Sequence, residues 1–129
     1  MSTTCLRTPA RPDLLVGKWV RLDRDGGRPP HLGVLARATP DPDHPGLWQW
    51  ALRTPTGYMA GGPHLPATRL TRDHRVDVAR ARRALTRQLR ANRAVLADLR
   101  AHGEPAGAMA RAVAVLEELQ TALAAQLKP

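Results

Sequence analysis

Residues 78–100 read "VARARRALTRQLRANRAVLADLR", Val78 to Arg100, and this stretch decides how the chain folds. Leu85, Leu89, Asn92, Leu96 and Leu99 follow one another at spacings of 4, 3, 4 and 3, and Val78 extends the series. Apolar residues at that spacing share one face of an α-helix, here with a single polar interruption at Asn92. Thr71 is the expected N-cap, with Asp73 in a first turn where a carboxylate meets the positive helix end. Gly103 stands where a helix-ending glycine belongs, and Pro105 where a first-turn proline belongs. Beyond them the spacing recurs through Met109, Val113, Leu116, Leu123 and Leu127, broadened by Leu119. The pattern predicts helices over 72–101 and 105–127, folded as an antiparallel helical hairpin.

Upstream the composition changes. Ten of the twelve prolines and eight of the ten glycines precede residue 71, where they punctuate short apolar runs. Such punctuation reads as strands and turns. Lys18–Leu22 (KWVRL) is a strand ending in "DRDGG", a turn in which Gly26 and Gly27 can take positive φ. His31–Ala38 and Leu47–Arg53 follow as strands, then Tyr58–Ala60, then a short extended piece running into Thr71. The pattern "VGKWVRLDRDGGRPPHLGVLARA" (16–38) resembles the opening hairpin of an SH3-like barrel. The expected fold class is therefore α+β: a small antiparallel, SH3-like barrel or curled sheet followed by a long helical hairpin. Its divisions are a flexible N-terminal segment (1–16), a β domain (17–71) and the hairpin (72–129).

The first helix would run roughly 40 Å, longer than a small barrel is wide. Two hairpins pairing into a four-helix bundle would cover the surplus seam. A homodimer is the expectation, held through Leu85, Leu89, Asn92, Leu96, Leu99, Val113, Leu116 and Leu123, with Asn92 suited to fixing the register.

The chain carries 20 Lys+Arg against 11 Asp+Glu, a net charge of +9. That excess favours nucleic acid, an anionic membrane or an acidic protein partner, and says nothing about fold. Ile and Phe are absent and only two lysines occur, the bias a GC-rich genome produces. Arg in place of Lys therefore carries little information, whereas the sign and placement of charge carry more. Residues 73–103 hold +5, while residues 104–129, under the same bias, hold −1. Arg80, Arg83, Arg87 and Arg90 fall opposite the leucine stripe, with Arg82 and Arg93 flanking it. Solvated helix faces ordinarily alternate sign. Here the pairs 80/83, 83/87, 87/90 and 90/93 are like-charged neighbours, each costing about 0.2–0.5 kcal/mol. An anionic partner would relieve that repulsion.

The four aromatics, Trp19, Trp48, Trp50 and Tyr58, all lie in the β region. Trp48 and Trp50 share a strand face. They either fill the core or form a platform on which bases stack. "GGRPP" (26–30) contains the Gly-Arg-Pro core of an AT-hook, yet a hairpin turn accounts for it more simply. "DPDHP" (41–45) lacks further ligands at metal-site spacing and reads as a polar turn, so no metal or cofactor is expected. One cysteine, Cys5, allows no disulfide within the chain, and no nucleophile, Walker or zinc-protease motif occurs.

The expectation is thus a cytoplasmic, non-enzymatic, nucleic-acid-binding accessory or regulatory protein. Arg80, Arg83, Arg87, Arg90 and Arg93 would contact phosphates, helped by Lys18, Arg21 and Arg53 from the sheet, with little base readout. The alternative is a protein-interaction adaptor or assembly subunit whose seams and β domain bind other proteins. A membrane-surface role is not expected, because the seam lacks large interfacial aromatics.

Overall fold

The computed structural model describes residues 8–129, so Cys5 lies outside the described residues. Five strands form one antiparallel sheet: β1 (Trp19–Leu22), β2 (His31–Pro40), β3 (Trp48–Thr54), β4 (Gly57–Gly61) and β5 (Ala67–Arg69), in the order β4-β3-β2-β1-β5. Gly26 and Gly27 in the β1–β2 turn have φ of 71° and 68°, conformations that cost other residues about 1–2 kcal/mol. In β2 the register shifts between Leu35 and Arg37. That bulge leaves Ala36 unmatched and returns Ala38 to the face of Leu35, so both enter one core.

The edge strands β4 and β5 do not pair with each other. The sheet is open where a closed barrel was one expectation. Strand β5 has only three residues, one face finds other cover, and the second is covered in part. One face carries Val20, Leu22, Leu35, Ala38, Trp50 and Leu52, covered by Leu65 of the β4–β5 connection and by Leu15. Leu15 ends a 3-10 turn, Pro12–Leu15, in which Pro12 is buried. A 3-10 turn with a buried proline thus lies within the segment 1–16. A proline at the turn's start and an apolar residue at its end give it something to bury.

The other face carries Trp19 and Leu32, which pack with Leu70 against two helices, α1 (Arg75–Ala101) and α2 (Gly107–Gln126). Helix α1 starts later than expected. Thr71 opens a turn in which its N–H donates to His74 Nδ1 (3.0 Å) and its carbonyl accepts from the His74 N–H (3.1 Å), so His74 is the N-cap. At the far end, Glu104 N–H donates to Leu99 O (2.9 Å) and Gly103 N–H to Arg100 O (3.2 Å), with Gly103 at φ 66°. This Schellman closure takes up residues 103 and 104. Pro105 consequently falls just before the α2 N-cap, Ala106, instead of inside the first turn.

Three contacts fasten the helices to β1. The Trp19 indole N–H donates to Leu119 O (2.9 Å). Gln126 accepts from the Trp19 N–H (2.8 Å) and donates to the carbonyls of Trp19 (2.8 Å) and Leu70 (2.9 Å). Arg21 Nη1 lies 2.7 Å from Asp77, a buried carboxylate in the first turn of α1, and its Nη2 lies 2.9 Å from Asp23. One continuous core therefore joins residues expected in separate domains.

Candidate nucleic-acid interface

Helix α1 presents three sides. Val78, Ala81, Leu85, Leu89 and Leu96 are buried against the sheet and α2. Ala84 and Gln88 lie half-buried on one flank. The remaining side is exposed and carries Arg82, Arg83, Arg87 and Arg90, which line a shallow depression of about 370 Å³ around Thr86. Among the described residues no carboxylate comes within 4.0 Å of these four guanidiniums. The acids of this region are used elsewhere: Asp77 is buried against Arg21, and Asp98 sits 3.4 Å from His102 at the far end of α1.

The other cations expected to join this face divide. Arg80 is half-turned toward the sheet, with Nη1 3.9 Å from Asp77 Oδ1. Arg93 is exposed but lies 3.7 Å from Glu117 of α2, which answers part of its charge. Arg21 is committed to Asp23 and Asp77. Arg53 donates to the Tyr58 hydroxyl and sits 5.1 Å from the centre of that ring. Lys18 is exposed at the start of β1, next to the Trp19 N–H that bonds Gln126 at the C-terminal end of α2. The fold therefore gathers the α1 arginines and leaves the sheet cations apart from them.

Two further cations extend the face. Arg72 and Arg75 line a depression with Arg82 beside Leu127. At 100° per residue Arg75, Arg82 and Arg93 form a second row next to the seam. The seven-residue step from 75 to 82 was the readable signal for it, obscured by the denser row beside it.

Trp50 is 8% exposed, and its indole N–H donates to His64 O (2.9 Å). A Cβ at Gly61 would run into its ring, so the six-membered edge is tightly covered. Trp48 is half-buried against the same core. Of the two tryptophans weighed for stacking, Trp50 is a core residue. The aromatic that stands out is Tyr58, 65% exposed on edge strand β4.

The seam residues Leu85, Leu89, Leu96, Val113, Leu116 and Leu123 are all buried within the single chain, while Asn92 and Leu99 are half-buried. Asn92 Oδ1 accepts from Gln88 Nε2 (3.0 Å), a contact within α1. No group of three or more metal-ligating side chains converges among the described residues, and no described helix is long and apolar enough to cross a membrane. Comparison with protein-family models, curated proteins and solved structures found no match.

Proposed function

We propose that the protein is a small, non-enzymatic nucleic-acid-binding factor, accessory or regulatory in role, whose α1 arginine face lies along a phosphate backbone. One observation carries this reading: four adjacent arginines stand exposed on one helix face without a carboxylate partner, in a helix whose acids are buried or placed at its ends. Such a face repels itself, and phosphate relieves it. Arg82 to Arg90 spans about 12 Å of helix axis, enough to meet two phosphates of one strand. Arg72, Arg75 and Arg93 extend the contact at either end. Binding would be driven by counterion release, with little sequence preference.

The finer fold assignment, an open sheet of SH3-like kind with a helical hairpin as its binding arm, belongs to the same proposal. So do a cytoplasmic location and a homodimer, which would have to form on surfaces other than the buried seam leucines. The adaptor alternative relies on the helical seams and the β domain, and the burial of the seam leucines leaves it the β domain.

Fluorescence anisotropy with labelled duplex DNA and single-stranded RNA at two salt concentrations tests the proposal. The expected result is micromolar-or-better binding that weakens with salt, with a log–log slope near −0.9 per neutralised phosphate on duplex. The triple variant R83Q/R87Q/R90Q should lose it. Absence of binding to both probes at low salt, or full binding by the triple variant, overturns the reading.

A further inference from the structure

The helices cover only part of the sheet. They pack on β1 and β2 through Trp19, Leu32 and Val34, and the matching face of β3 and β4 stays open. Between that open face and α1 runs a groove of about 450 Å³, a size that takes a small organic group. Its floor is apolar, formed by Leu32, Ala81 and Ala84. Tyr58 stands on one wall and Arg80 on the other, with His31 at one end.

Three features of this groove point to one kind of occupant. First, the Tyr58 ring is the large exposed aromatic of the sheet, and the Arg53 guanidinium sits over it, an arrangement that braces the ring while leaving most of it open. Arg53 is the cross-strand partner of Tyr58 and engages its hydroxyl, yet the ring stays 65% exposed. Second, the groove is positively charged and only partly answered. Arg80 keeps 40% of its side chain exposed and makes no hydrogen bond among the described residues: Arg21 holds Asp77 Oδ2, and Asp77 Oδ1 lies 3.9 Å from Arg80 Nη1. At the His31 end, burial first, and then the charges of Arg24 and Arg28 near the β1–β2 turn, hold the imidazole below its ordinary value. Third, the groove is continuous with the arginine face, since Arg80 borders it and Arg83 and Arg87 follow within two turns of α1.

We propose that this groove receives one unstacked base of a single-stranded nucleic acid, the base lying on the Tyr58 ring and its phosphate meeting Arg80, while the strand continues over Arg83 and Arg87. The inference rests on the nucleic-acid reading and narrows it. A duplex keeps its bases stacked and cannot fill the groove, whereas a single strand offers both a free base face and a backbone. Stacking is indifferent to base identity, so this contact keeps sequence preference low.

The test compares an oligo-dT strand of about 20 bases with a mixed-sequence duplex of similar length, by anisotropy at low salt. The arginine face alone would favour the duplex, whose charge density is higher. With the groove engaged, the single strand should bind ~5-fold or more tighter than the duplex. Y58A should weaken single-strand binding by about 5- to 100-fold, while Y58F, which keeps the ring, retains it. Far-UV circular dichroism verifies that Y58A is folded. In parallel, imidazole NMR of the unsubstituted protein should show the His31 pKa rising when oligo-dT is added, because a nearby phosphate favours the imidazolium. Equal or tighter duplex binding, undiminished single-strand binding by Y58A, or a His31 titration unmoved by oligo-dT each overturns the inference. If in that case R83Q/R87Q/R90Q still abolishes duplex binding, the arginine reading stands and only the groove falls. If neither probe binds, both fall.

Discussion

At the scale of single residues, Gln126 makes contacts that no spacing or motif announces. Its amide satisfies the Trp19 N–H and both carbonyls flanking the β1–β5 junction, where β5 has already run out. Trp19 O keeps a second donor, the Leu70 N–H at 2.9 Å, but Trp19 N and Leu70 O depend on the glutamine. A part-buried polar group left without a partner costs about 1–3 kcal/mol, and Q126A strands two. The expected loss is about 2–4 kcal/mol in urea unfolding. Q126E should cost at least as much, because a carboxylate oxygen would then face two carbonyl oxygens. A Q126E protein as stable as the parent would show that this junction is solvated. The Trp50 bond to His64 O is equally invisible in the sequence. What could be read was that a bulky residue must fill a core lacking Phe and Ile, and Trp50 does so.

At the scale of elements, the strands and helices were legible because their signals are local. Alternation placed Trp19 and Arg21 on the helix-facing side and Val20 and Leu22 on the other. Paired glycines marked the β1–β2 turn, and Gly103 the end of α1. Boundaries failed where side chains rewrote the backbone, as when His74 captured Thr71 and delayed α1. The arginine row was legible as charge, but which arginines stay free was not, because Asp77, Glu117 and Tyr58 reach Arg21, Arg93 and Arg53 only through tertiary contacts. The row itself sets stability against binding. Arg87 has Arg83 four residues before it and Arg90 three after. R87E turns two repulsive pairs into attractive ones, a gain of about 0.8–2 kcal/mol at low salt. The urea midpoint should rise, the rise should fade at high salt where exposed charges are screened, and nucleic-acid affinity should drop. A variant less stable at low salt would mean that the face already has an internal counter-charge.

At the scale of the molecule, the change of composition near residue 71 suggested two domains, and the packing argues for one folding unit. Trp19, Leu32 and Leu70 share a core with Val78, Leu85, Leu119 and Leu123, and Trp19 is fully buried only because α2 lies over it. Removing the helices would return that face to water and orphan the Arg21, Trp19 and Gln126 contacts together. The helices gain as much, since the sheet covers the part of α1 nearest Val78 and Ala81. Local composition reports what each segment forms, but not whether two segments bury each other, because that depends on which faces meet. The distribution of chromophores makes the point testable. All three tryptophans lie in the sheet, and Trp48 and Trp50 belong to the core on the face turned away from the helices, so their share of the fluorescence follows the sheet, while far-UV circular dichroism at helix wavelengths follows α1 and α2. The two probes should trace one transition with the same midpoint and slope in urea, the behaviour of a single cooperative unit. L85A removes a fully buried side chain of α1 and should cost about 2–5 kcal/mol. If sheet and helices unfold as one, that helical substitution lowers the fluorescence midpoint as far as the dichroism midpoint. If instead only the dichroism curve moves, the sheet stands by itself and the boundary at residue 71 is a true domain boundary.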